Sequence, residues 1–255
     1  MSNKNNLNNR IYAIDELRGL CIVAMVIYHL GYSMYYLYNI KLGYDIMHYE
    51  KPIALVGPWI FILISGISSM LSRSNLIRGL KLAFVAIVIS FITILLTPQS
   101  AIYFGILHFL AFSMILFHFI KPLITKIKVP IGITVCLLLF IITYTVPQGY
   151  LSFFGYNIYQ LPSILYQQQF LIPLGFITYG FYSADFFPIL PYVFMFLTGG
   201  FIGVLAKNGK FPKFLYKSRI KLLSLLGRHS LVIYVIHQPF IVFTLFIITS
   251  IIKID

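Results

Sequence analysis

The chain has 255 residues, 60% of them apolar or aromatic and only 10% charged, with a mean hydropathy of +0.91, a balance that excludes a soluble domain. Its formal charge of +13 comes from basic residues scattered between apolar runs, with no dense block and no basic patch interleaved with aromatics, so no nucleic-acid partner is expected. The two cysteines, Cys21 and Cys136, lie inside apolar runs without CxxC spacing; neither a disulfide framework nor a thiolate metal site is indicated, and no metal is expected.

A hydrocarbon core about 30 Å thick takes roughly twenty mostly apolar residues per helix, which allows about seven spans here. Met1 to Arg10 is polar and Asn-rich, residues 1–18 are expected to form a cytoplasmic N-terminus, and the run after Arg18 lacks a small-residue cleavage site, which predicts an uncleaved first span. Apolar stretches then run from Gly19 to Tyr38, Ile53 to Leu71, Leu82 to Leu96, Ile102 to Ile120, Val129 to Val146, Ile189 to Ala206 and Ser230 to Ile252. Pro52, Pro98, Pro130 and Pro147 fall at or near their ends, where a missing N–H costs least. The expected fold is all-α: one polytopic membrane domain over residues 1–255, a helical bundle of about seven spans.

Alternating sides from a cytoplasmic N-terminus places Lys4, Arg10, Arg18, Arg73, Arg78, Lys81, Lys121, Lys126, Lys128 and the basic loop 207–229 inside. Only Lys41, Lys51 and Lys253 fall outside, so the positive-inside rule predicts this orientation in the plasma membrane, with an external C-terminus. Leu161 to Gly180 is apolar enough to suggest an eighth span, but counting it would turn the Lys207 to Lys221 loop outward. Residues 147–188 are therefore expected to form an external or re-entrant cap, shielded by protein or a watery cavity wherever it reaches membrane depth.

Ionisable groups within spans cost a few kcal/mol on insertion scales, so each calls for a partner or a task. His29, His108 and His237 stand in the middle of their spans. His29 follows Arg18 by eleven residues, about three helical turns and roughly 16 Å of rise, which leaves both on one face. Asp15, three residues before Arg18, can pair with it along the helix, and a bound phosphate would compete for the guanidinium. An imidazole can take and return a proton near neutral pH, and it can equally bridge helices by a hydrogen bond. His48, His118 and His229 read as solvated or interfacial groups, and Trp59 with the tyrosines from Tyr32 to Tyr44 as interfacial anchors. Asp185, before the sixth span, either hydrogen-bonds a polar acceptor or caps that helix. At the start of the last span, Arg228 and a helix N-terminus begun by Ser230 would favour an anion.

The segments Ile14-Asp-Glu-Leu-Arg18-Gly19 with His29, Phe61-Ile-Leu-Ile-Ser65-Gly66-Ile-Ser68, Ile102-Tyr-Phe-Gly-Ile-Leu-His108, Ser183-Ala-Asp185-Phe-Phe-Pro188 and Leu226-Gly-Arg228-His-Ser230 to His237-Gln-Pro239 follow one another across nearly the whole chain. Together they resemble the DUF1624 or heparan-α-glucosaminide N-acetyltransferase catalytic-domain family, and the arginine-to-histidine spacing is similar to that of the acyltransferase-3 membrane enzymes. The resemblance implies a transmembrane acyltransferase that takes acetyl from acetyl-CoA at the cytoplasmic face and passes it to a hydroxyl or amine acceptor, a sugar or cell-envelope glycan, on the other side. With that activity, Arg18, Arg78 and Arg228 are expected to hold the CoA phosphates, and Asp15 to complete the cofactor site by holding the Arg18 guanidinium near the cytoplasmic mouth. His29 is then expected as general base, with His108 or His237 orienting the acceptor or stabilising the oxyanion, and Asp185 at the acceptor side. Direct transfer and an acetyl-histidine intermediate both stay open, as does a homodimer. The rival readings are a haem-binding electron carrier with two histidine ligands and a non-enzymatic permease or proton-coupled carrier.

Overall fold

A computed structural model describes residues 10–252, so Lys4 and Lys253, which enter the topology argument, lie outside the described residues. Seven helices in it are long and apolar enough to cross a membrane. They are α1 (Tyr12–Tyr32), continued by a π-helical turn at Ser33–Leu37; α2 (Leu42–Leu71); α3 (Asn75–Leu96); α4 (Ile106–Ile124); α5 (Val129–Thr143); α6 (Ile189–Lys207); and α8 (Ser230–Ile252). The protein is an all-α polytopic membrane protein, as its hydropathy pattern indicates.

The chain divides into two compact units, Met1–Phe61 with Phe211–Asp255, and Ile62–Lys210. In the first, the short helix α7 (Lys221–Arg228) lies along α1. Leu223 and Gly227 stand one helical turn apart on the same face of α7, and both meet Gly19 of α1. The backbones touch because both helices offer glycine: a Cβ on Gly19 would strike the Leu223 carbonyl, and one on Gly227 the Asp15 carbonyl. Helix α8 packs on the far half of α1, tied by Tyr38 Oη donating to the Val242 carbonyl at 2.8 Å.

In the second unit α3 packs on α4 and α5 on α6, and Phe117 and Phe196, both fully buried, meet edge to face with ring centres 5.8 Å apart. Between α5 and α6 stands an antiparallel hairpin, β1 (Tyr150–Phe153) and β2 (Tyr156–Gln160), with a bulge between Leu151 and Ser152. The Thr145 hydroxyl fixes its base by donating to the Tyr150 carbonyl at 2.8 Å.

Several helix ends shift by up to two turns from the expected runs, and two segments differ more. Helix α2 begins at Leu42 instead of Ile53 and runs through Pro52 and Pro58, so His48 sits on a helix and not in a loop. A proline deletes one N–H of the ladder, and the remaining bonds of a thirty-residue helix carry it past both rings. Leu161 to Gly180 forms two 3₁₀ turns, Ser163–Gln167 and Gln169–Leu174, and no helix of membrane length. Pro162, Pro173 and the left-handed Gly175 (φ 114°) interrupt it too often for a ladder to extend.

Candidate functional site

The first unit gathers charge at the beginning of α1. Asp15 is buried, and Arg10 Nε donates to its Oδ2 at 2.6 Å while Arg18 Nη1 stands 3.7 Å from its Oδ1. The hydrogen bond to Asp15 raises the Arg10 pKa above the ordinary arginine value, so this guanidinium remains charged throughout the working pH range. The next residue, Glu16, receives the Ser218 hydroxyl at 3.1 Å and the N–H groups of Arg219 and Ile220 at 2.7 and 3.0 Å. One helix face thereby holds the arginines and the next holds the chain entering α7. Arg228, exposed at the end of α7, turns its Nε back to the Ser224 carbonyl at 3.3 Å.

Further along α1, the structure brings His29 against His237 of α8, with ring centres 5.0 Å apart at 61°. Tyr28 and Tyr234 flank the pair, each with its ring centre 5.8 Å from the neighbouring imidazole. His237 is buried, and its Nδ1 lies 2.7 Å from the Tyr234 carbonyl, which can only accept. Nδ1 therefore carries the proton in the neutral ring, and Nε2 presents a lone pair. That Nε2 is buried and has no hydrogen-bond partner among the described residues. Such an atom is a proton acceptor held ready in fixed orientation.

One turn beyond His29, the fully buried Ser33 accepts the Gln238 Nε2–H at 3.1 Å, at the first residue of the π-helical turn. A π turn carries one extra residue per ladder bond and often marks a functional position in a helix.

His108 and Asp185 belong to the other unit, and there both serve the start of α4. Gly105 N–H donates to His108 Nδ1 at 3.2 Å, and His108 Nε2 stands 3.3 Å from Ser90 Oγ, which in turn donates to the Ile102 carbonyl at 2.5 Å. Both ring nitrogens thus face protein groups. Asp185 Oδ2 accepts the Ile106 N–H at 3.0 Å, in a space that only glycine at position 105 leaves open. The helix that Asp185 caps is therefore α4, with α6 following after Pro188. His108→Leu is expected to destabilise the protein by about 1–3 kcal/mol, the cost of stranding the buried Gly105 N–H, seen as a lower melting temperature in detergent; His108→Gln, which restores an acceptor, recovers most of it. Arg78 is exposed on α3 of the same unit.

Sequence reading alone passed over Arg10, Glu16, Ser33 and Gln238. The signal for Gln238 was present in its position beside His237 and before Pro239, whereas the Arg10–Asp15 bond crosses a helix start and obeys no helical spacing. Among the described residues no group of three or more His, Cys, Asp or Glu side chains could hold a metal ion.

Residues 10–239 match the family described as Heparan-alpha-glucosaminide N-acetyltransferase, catalytic. No curated protein and no solved structure matches the chain significantly.

Proposed function

Because the chain belongs to the heparan-α-glucosaminide N-acetyltransferase catalytic-domain family and is thus a transmembrane acetyltransferase, we propose that it moves acetyl from cytoplasmic acetyl-CoA to a sugar hydroxyl or amine on the opposite face of the membrane. The observation that carries this reading is the His29–His237 pair: His29 stands three turns from Arg18 on α1, and His237 on α8 brings an unpaired Nε2 against it.

The donor's phosphates are assigned to the arginines at the cytoplasmic lip of the first unit, chiefly Arg18 with Arg228, where guanidinium forks suit phosphate oxygens. Asp15 keeps Arg18 close to the helix until phosphate competes for it. The thioester reaches the histidines. As the acceptor oxygen or nitrogen bonds to the thioester carbonyl carbon, His237 Nε2 takes its proton; the C–S bond then breaks and the imidazolium returns that proton to the departing CoA thiolate. His29, packed against His237, orients the acceptor and stabilises the developing oxyanion. The fixed Nδ1–H of His237 favours it over His29 as base.

Purified protein should bind acetyl-CoA, and its melting temperature should rise with ligand in the mass-action form, by about 2.7 kcal/mol of added stability at a hundredfold excess over Kd. An unchanged melting temperature at millimolar acetyl-CoA refutes the proposal. Desulfo-CoA, which carries the same phosphates, should stabilise comparably, since the arginines and not the thioester hold the donor.

A further inference from the structure

The hairpin of the second unit ends in a turn that local preference argues against. Phe153 pairs with Tyr156, so Phe154 and Gly155 alone make the loop, and both have positive φ, 47° and 88°. A two-residue loop of this hand favours Asn-Gly, because a bulky side chain at positive φ crowds its own backbone. Phenylalanine stands there instead, and burial does not compensate it: Phe154 is 73% exposed. Its ring meets Phe153 edge-on, with centres 4.7 Å apart, and Phe153 is exposed as well. Tyr156, Ile158 and Tyr159 of β2 extend the same exposed surface.

This surface is built for something other than water. No charged residue or histidine occurs between Lys128 and Asp185. Yet β2 pairs on one side only, and a free strand edge facing water is ordinarily guarded by charge against other chains.

The height of the hairpin says what it meets. Lys126 and Lys128 precede α5 and hold its start among headgroups. The 15 residues of α5 rise at most roughly 22 Å. The 3₁₀ turn Val146–Gln148 adds at most about 6 Å, so β1 starts near the far edge of a core about 30 Å thick. The bonds from the Thr145 hydroxyl to the Tyr150 carbonyl, and from the Leu161 N–H to the Gly149 carbonyl at 2.9 Å, hold it there. At that depth aromatic side chains collect, while water and headgroups can still satisfy the free edge of β2.

We propose that the hairpin tip, Phe153 to Tyr156, is a lipid anchor seated in the headgroup zone at the far end of α5, with phospholipid as its partner. The contact continues the lipid-facing surface of α5, on which Val135 and Leu138 are exposed. Having no cation, the tip reads the boundary between apolar and polar and not the charge of the headgroup. The anchor is independent of the acetyl-transfer chemistry.

The test uses full-length protein in phosphatidylcholine nanodiscs. Trp59 is the chain's one tryptophan, so Phe154→Trp in a Trp59→Phe background puts the sole indole at the tip. Phospholipid brominated high on its acyl chains should quench the emission several-fold more than lipid brominated near the methyl end. Iodide in the water should quench it several-fold less than it quenches free tryptophan. Molar salt should change neither result, since screening acts on charges and the hairpin has none. Phe154→Asn supplies the preferred Asn-Gly turn, which by itself would slow hydrogen exchange along β2; loss of the anchor should instead speed it several-fold. Free iodide access without quenching by bromolipid puts the tip in water and overturns the proposal. Shielding from both quenchers overturns it too: dimers in native mass spectrometry would assign the free edge of β2 to a second copy, and a monomer would place the tip against its own chain. Quenching lost in molar salt, or unchanged or slower exchange in Phe154→Asn, overturns it as well. If Phe154→Trp does not fold, the exchange comparison decides.

Discussion

His237→Ala should lower kcat for acetyl transfer by about 10²- to 10⁴-fold, the usual worth of a positioned general base, while acetyl-CoA affinity and membrane insertion stay as in wild type. The size of the effect follows from how the ring is prepared. Its Nδ1–H is committed to the Tyr234 carbonyl, so no tautomer change is needed before Nε2 can accept a proton. Its burial removes water that would compete for that lone pair. His29→Ala should also reduce kcat, but by less, because it deletes a neighbour of the base and not the base itself. The ordering separates the two imidazoles: a larger loss in His29→Ala than in His237→Ala would transfer the base to α1. Full activity in both variants would remove the pair from the chemistry. Thermal unfolding of each variant, with and without acetyl-CoA, guards against reading a folding defect as a catalytic one.

Much of this site is legible in the sequence, though unevenly. Hydropathy alone yields the seven spans, because lipid demands an unbroken apolar helix and such helices leave an unmistakable run of residues. Intramembrane cost alone singles out His29 and His237, since a polar ring in an apolar run needs a reason. What the sequence withholds is which of the three histidines meet. His108 has the same credentials in one dimension as the other two, yet its ring closes the first turn of α4 against Gly105 and Ser90. Nothing in a run such as Ile102-Tyr-Phe-Gly-Ile-Leu-His108 distinguishes a cap from a base, because the distinction lies in which nitrogens are already used. Glu16 is withheld for a similar reason. Its partners, Ser218, Arg219 and Ile220, lie some two hundred positions away and two of them are backbone groups, which carry no signature of side-chain type. The second span fails differently: Pro52 signals a helix end on local rules, and a helix long enough to absorb one missing bond overrides it.

Gly227→Val should cost both stability and donor binding, and the balance of two opposing terms decides the sign. Replacing a helical glycine with a side-chain-bearing residue ordinarily helps, by up to about 1 kcal/mol through backbone entropy. Here the added Cβ would occupy the space of the Asp15 carbonyl, and backbone cannot swing aside as a side chain can. Overpacking of this kind costs about 1–3 kcal/mol, and the branch of valine places it at the upper end. The net expectation is a lower melting temperature. Relief comes only if α7 moves off α1, and that motion pulls on Glu16 through its bonds to Ser218, Arg219 and Ile220 and shifts Asp15, which aligns Arg10 and Arg18. Acetyl-CoA should accordingly bind several-fold more weakly in Gly227→Val, although residue 227 bears no charge and needs no contact with the ligand. Gly19→Ala presses on the same seam from the other side, against the Leu223 carbonyl, and should give the same pair of effects in milder form. If both variants melt lower yet bind acetyl-CoA with wild-type affinity, the α1–α7 seam supports the fold alone, and the arginines at its end take no part in holding the donor.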